Sequence, residues 1–278
     1  MKSIQLVALI AVLAIALAFT ANAQYVNQQV GDNGTVNWSN QVIRATGIGA
    51  GNPNLPLVSQ RASAIRAAKL DAWRNLLETV KGVTLTSETT VQNAMVTSDV
   101  ISTKVQGIVK NTTMVGEPKY LSDGSVEVTM EMPITGALTD VVLPTTVDGQ
   151  PWGQQQYQGQ QQQAAASYTG LIVNAKGLGA RPAMAPKILD EQGNEIYGSR
   201  YVSREWAVKM GMVGYDKDLN RARSNDRVAN NPMVVKAMKV SGPNKADVVV
   251  SQQDAAQIKA VAANQNFLDK CKVMFIVD

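Results

Sequence analysis

Ile65-Arg66-Ala67-Ala68-Lys69-Leu70-Asp71-Ala72-Trp73-Arg74-Asn75-Leu76-Leu77-Glu78-Thr79-Val80-Lys81-Gly82 is the stretch on which the fold turns. Ile65, Ala68, Ala72, Leu76 and Val80 recur at three- and four-residue steps, and Trp73 and Leu77 widen the stripe. That period predicts an amphipathic helix over about 58–81 with one buried face. Arg74 and Glu78 stand off the stripe at a spacing that allows an ion pair, and Gly82 is placed to end the helix in a left-handed cap. Before it, Val42 to Ile48 reads as a strand and Gly49 to Pro56 as a Gly/Pro turn. After it come a β-branched stretch, Val83 to Val91, and a second helix, about Asp99 to Lys110. Two strands, Thr112 to Tyr120 and Ser125 to Ile134, are joined at Asp123-Gly124, a hairpin signal. Val126, Val128 and Met130 alternate with Glu127, Thr129 and Glu131, so one face of the last strand is buried and the other wet. The expected order is β-α-β-α-β-β, a small sheet with helices on one side.

Gln154 to Gln163 holds eight glutamines in ten residues after a Pro/Thr-containing stretch. It has no apolar periodicity to bury, so 144–166 reads as a linker. This separates a domain at 38–143, preceded by a segment at 24–37, from a second mixed α+β domain at 167–278. In the latter, Gly170 to Ala175 reads as a strand and Pro186 to Tyr197 as a hairpin. Short helices are expected at Arg204 to Met210 and Asp216 to Ser224, and strands at Val234 to Val240 and Ala246 to Val250. Ser251 can N-cap a helix carrying Ala255, Ile258 and Ala262. The apolar run through Cys271 reads as a closing strand. The fold class is α+β throughout.

The first residues carry an export signal. Lys2 precedes an apolar run of about 16 residues, too short to span a bilayer. Ala21-Asn22-Ala23 then supplies the small-residue pattern of a cleavage site, giving Gln24 as the new N-terminus and no transmembrane span in the mature protein. Position 24 is Gln, where a lipid anchor needs cysteine. Lys2 is the segment's one charge, so the net balance falls from +4 to +3, a solvated surface rather than a nucleic-acid footprint. The single cysteine permits no internal disulfide, and its apolar setting reads as a buried thiol. The sequence has no histidine, which removes the commonest general base and metal ligand together. No catalytic, cofactor or metal residue is assigned.

The segment from Trp38 to about Gly136 resembles a known envelope family. The resemblance rests on Val42-Ile43-Arg44-Ala45-Thr46-Gly47-Ile48-Gly49, on Arg66-Ala67-Ala68-Lys69-Leu70-Asp71-Ala72-Trp73-Arg74-Asn75-Leu76-Leu77-Glu78 with Gly82-Val83, and on Asp123-Gly124-Ser125-Val126-Glu127-Val128. It is similar to the bacterial LPP-type (twenty-kilodalton) outer-membrane lipoproteins and to the N-terminal domain of flagellar assembly protein T. The resemblance implies a non-catalytic envelope protein with a structural or assembly role, in the periplasm and with a flagellar link. Lipoprotein members carry a lipidated cysteine that this chain lacks, so attachment would run through other envelope proteins or self-association. The helix bearing Trp73 and the wet face near Glu127 are the first surfaces to expect partners on.

Three sharper readings compete. Gly47, Gly49 and Gly51 follow a strand as in a phosphate-binding loop, but Pro53 and Pro56 precede the helix, and Gly177 and Gly179 lead to Arg181-Pro182. Glu127 with Glu131, or Asp190 with Glu195, could form a hydrolytic carboxylate pair. Arg221, Arg223 and Arg227, with Lys236 and Lys239 nearby, form the one local basic group. They offer a docking point for a glycan, a lipid headgroup or an acidic partner, unless Asp216, Asp218 and Asp226 neutralise them. The alternative function is therefore a soluble binding module for a small ligand or glycan in the C-terminal domain.

Overall fold

The computed structural model describes residues 25–147, 150–151, 155–156 and 167–278. The residues read as an export signal, the expected cleavage pair Ala23 and Gln24, and most of the glutamine tract lie outside the described residues. The fold is α+β. Strands β1 (Asn27–Val30) and β2 (Gly34–Asn37) form a hairpin that joins β3 (Val42–Gly49), and the five-stranded antiparallel sheet closes as β1-β2-β3-β5-β4. Here β4 is Thr113–Tyr120 and β5 is Val126–Pro133.

Helix α1 (Leu57–Lys81) lies along one face of that sheet. The contact is made by small residues on both sides. A Cβ at Gly47 would stand 2.1 Å from the Ala72 backbone nitrogen, and one at Gly49 would stand 2.2 Å from that of Ala68. Two glycines of the phosphate-loop reading, Gly47 and Gly49, are where the helix touches the strand, through the buried stripe Ala64, Ala68, Ala72 and Leu76, while Gly51 lies in the loop against Gln60. Gly82 is helical (φ −75°), not left-handed; a Cβ there would stand 2.5 Å from the Val30 side chain, so it is close packing that favours glycine. Arg74 pairs with Asp71 and Glu78 with Lys81, each three residues apart, rather than with each other.

Val83 to Val91 does not form a strand. It is a loop closed by the single bridge Thr84–Thr90, and Thr90 then caps a helix the periodicity did not reveal, α2 (Val91–Thr97). Helix α3 (Asp99–Lys110) follows, capped by Ser98, and α4 (Ala137–Val142) ends the domain. A short ribbon, β6 (Thr146–Val147) with β7 (Gln150–Pro151), comes next.

The second domain holds two four-stranded sheets. One is parallel, β11-β15-β8-β12, from Gly214–Asp216, Val273–Ile276, Gly170–Asn174 and Pro232–Lys236. The other runs β10-β9-β14-β13, from Glu195–Tyr197, Ile188–Leu189, Asp247–Val249 and Lys239–Ser241. The stretch expected as one strand over 234–240 is thus divided between two sheets, and the expected helix at 216–224 begins as β11. Helices α5 (Arg204–Met210), α6 (Leu219–Arg223) and α7 (Gln252–Ala262) complete it. Ser251 caps α7 as expected, accepting from the Asp254 amide at 3.0 Å.

Candidate functional site

Two regions carry exposed or buried chemistry that the fold alone does not use up: the seam between the domains and the far tip of the first one. The seam is built from backbone as much as from side chains. The carbonyls of Thr84 and Leu85 accept from the amides of Met184 (3.0 Å) and Ala185 (2.8 Å), and the Ser87 carbonyl accepts from Asn244. The loop that stands in place of the expected strand is therefore the docking edge for the second domain. Beside it the Ser87 hydroxyl donates to Asp247 Oδ2 (2.6 Å), and the Lys187 amide donates to Oδ1 (2.8 Å). Burial holds the Asp247 carboxyl above the usual carboxylate range, although both hydrogen bonds favour the ionised form.

Further along the seam, Trp38 from the first domain meets Tyr215 edge-on at 5.6 Å. The Tyr215 hydroxyl donates to the Ala183 carbonyl and accepts from its amide, and burial pushes its pKa up. Arg204 fastens the end of α4 by donating to the carbonyls of Asp140, Leu143 and Pro144. One hydrophobic core runs unbroken from Val36 and Ile43 through Tyr215 to Phe275.

The three predicted arginines differ in role. Arg221 lies along Asp216, its Nε 2.8 and 3.0 Å from the two carboxylate oxygens, and its other side faces the Tyr25 ring at 5.7 Å. The Asp216 hydrogen bonds raise its pKa further. Arg227 is turned inward and donates to the carbonyls of Gly211 (3.0 Å), Cys271 (2.9 Å) and Met210, so it caps the C-terminus of α5. Burial lowers its pKa. Arg223 is exposed on the short helix α6. Two of the three thus lie at the junction with the first domain. Residue spacing showed the cluster but not that Tyr25, Ser39 and Gln41 come to meet it.

The carboxylates proposed for hydrolysis are occupied. Glu131 pairs with Arg44, and Glu127 with Lys119 at 2.8 Å, on the wet face of the sheet. Asp190 shapes the β9–β10 turn. Its oxygens accept from the amides of Gln192 and Asn194 and from the Asn194 side chain; these bonds outweigh its desolvation and lower its pKa. Glu195 sits between Lys187 (3.4 Å) and Arg200. Cys271 is buried and its thiol is pushed up to about 12 by burial, so it is not a nucleophile at neutral pH. The Gly177 and Gly179 amides both point at the Asp278 carboxylate (2.8 and 3.3 Å), a backbone anion nest filled by the chain itself. Trp73 is half-buried against the core. Among the described residues no group of acidic or cysteine side chains could hold a metal ion.

The tip lies at the opposite end of β3 from the seam. The β3–α1 loop and the β4–β5 turn enclose a groove of about 620 Å³ lined by Pro53, Leu57, Arg61, Tyr120 and Leu121, among others. Around it Leu57 is 64% exposed, Val58 82% and Tyr120 60%, with Ile48, Leu55 and Leu121 also exposed. No charged residue occurs between Gly49 and Gln60. Arg61 lies 5.8 Å from the Tyr120 ring centre. Such a concentration marks an interaction surface more often than chance.

Residues 36–132 match the LPP20 lipoprotein family. The resemblance seen in the sequence to LPP-type lipoproteins is thereby supported over β2 through β5, including α1 and the tip, and with it an envelope, lipoprotein-like character. Residues 170–278 match a different description, the second domain of Treponema pallidum Tp0624. The LPP20-like match ends before α4 and the Tp0624-like match starts at β8, so the seam joins two separately recognisable units. No curated protein matches the chain significantly. Among the described residues no helix is long and apolar enough to cross a membrane.

Proposed function

We propose that this chain is a non-catalytic protein of the bacterial envelope with a structural or assembly role, exported to the periplasm and held in place by another envelope protein. The observation that carries the reading is the apolar tip of the LPP20-like domain. Leu57 and Val58 sit on the first turn of α1 and contribute nothing to the core, yet they stand in water beside Leu55, Tyr120 and Leu121. A partner that covered them would recover burial worth about 25 cal/mol per Å² of apolar surface. The non-catalytic part is supported by the engagement of the carboxylates in ion pairs and turns and by a sequence without histidine. Flagellar assembly is the narrower form of the proposal, resting on the resemblance of the first domain alone.

Fractionation of cells expressing the full chain tests it. The wild type should stay with the envelope fraction through a low-salt wash, and Leu57→Asp with Val58→Asp should release it while the melting temperature holds. A wild type that washes out as a monomer, or a double variant that remains bound, would remove the tip as the point of attachment. The second reading, a ligand-binding module, is favoured by one feature of the seam.

A further inference from the structure

The cleft beside Arg227 has the chemistry of a binding site. It measures about 320 Å³, at the lower end of ordinary small-molecule sites. Ser39 and Gln41 line it from the first domain; Gly214, Asn225 and Arg227 line it from the second. A guanidinium has five N–H donors. Nη1 of Arg227 uses two, on Gly211 and Cys271, and Nη2 uses one, on Met210. The N–H on Nε and one on Nη2 remain, and among the described residues neither has an acceptor.

The charge is as incompletely met as the donors. Every acceptor of Arg227 is a neutral carbonyl, and among the described residues no carboxylate pairs with it. Its neighbour Arg221 differs at this point, since Asp216 answers it with both oxygens. A mostly buried cation without a counter-ion is costly and calls for one. The side chain of Arg227 packs closely on Gly214, where a Cβ would stand 2.9 Å from Nε, and the space for a counter-ion is the cleft that both residues line. The Nε–H and the remaining Nη2–H are the donors left to meet an oxyanion.

We infer that the cleft between the two domains binds a small molecule bearing a carboxylate or phosphate group, held by the remaining donors of Arg227 and flanked by Ser39, Gln41 and Asn225. Exposed Asp226 on the same wall favours a ligand of low charge. Because both domains supply the walls, occupation should tighten their contact. This goes beyond the envelope role and is independent of the tip.

The full chain, labelled with nitrogen-15, is titrated with sodium phosphate and separately with sodium acetate, against sodium chloride at matched ionic strength. The Nε–H resonance of Arg227, assigned through its own side-chain carbons, is followed. The expected result is a saturable shift with one of the two oxyanions, half-complete at or below about 1 mM, and none with chloride. Saturation by phosphate alone identifies a phosphate-bearing ligand, and by acetate alone a carboxylate-bearing one. Arg227→Lys keeps the charge but not the fork, and should weaken a thermal shift by the same anion about tenfold in concentration. A resonance that responds no more to either oxyanion than to chloride overturns the inference, and this wild-type measurement stands even where Arg227→Lys fails to fold. A folded Arg227→Lys with an unchanged thermal shift overturns it as well.

Discussion

Asp247 shows how one residue can hold two domains together while titrating against them. Its carboxylate takes the Ser87 hydroxyl from one domain and the Lys187 amide from its own. Asp247→Ala strands both donors in a buried seam and should cost about 1–3 kcal/mol in urea unfolding. Asp247→Asn keeps an acceptor for Lys187 and should cost less. The pH dependence follows from the raised carboxyl. The folded chain holds this proton more tightly than the unfolded one, so the group's contribution to stability is complete below its ordinary value of 3.8 and is lost as pH rises through the higher folded value. The stability of Asp247→Asn relative to wild type should therefore rise from acid toward neutral pH; a constant difference over that range would show that the shift is absent. Gly47 illustrates the opposite limit, where a residue matters for what it lacks. Gly47→Ala puts a carbon against the backbone of Ala68 and Ala72 and should cost the upper part of about 1–3 kcal/mol in the same assay. The sequence displayed both residues, but nothing local distinguishes a glycine that cradles phosphate from one that admits a helix.

At the scale of elements, what could be read was what depends on near neighbours. Helix α1 follows from an apolar period that repeats over many turns, and the β4–β5 hairpin from alternation on both sides of Asp123-Gly124. The cap on α7 is also local, and Ser251→Ala should cost about 1 kcal/mol, read as an earlier urea midpoint with an unchanged slope. The β1–β2 hairpin was not recognised, although Gly31-Asp32-Asn33-Gly34 is a turn signal, because Asn27–Val30 carries only one apolar side chain and shows no clear alternation. Val83 to Val91 departs from the expected strand for the reverse reason. Its β-branched residues favour extended backbone, but the hydrogen bonds that extension offers go to Met184, Ala185 and Asn244, far along the chain. Thr90 and Asn93 complete a capping box for α2, a signal shorter than the apolar periodicity of a long helix.

The whole molecule is two recognisable units that share a main core, with a smaller cluster around Ile172, Val228 and Ile276 in the second. Trp38 meets Tyr215 across the seam and Tyr215 meets Phe275 behind it, each pair T-shaped, and the cluster around them includes buried residues of every sheet longer than the β6–β7 ribbon. Shared burial of this extent should couple the units, so heat unfolding of the full chain is expected as one transition, coincident by tryptophan fluorescence and far-ultraviolet circular dichroism. Two separated transitions would show that each unit keeps its own core. The sequence by itself determined the α+β class, the long helix and its buried face, the family resemblance of the first unit and the want of imidazole chemistry, since each of these is written in composition or in contacts a few residues apart. Only the tertiary structure decided which arginine faces a carboxylate and which donates to carbonyls alone, where the apolar loops gather into a tip, and that a supposed strand is a docking edge. Those properties arise between residues distant in sequence, and burial, which decides whether a charge is met or left open, belongs to the packed whole.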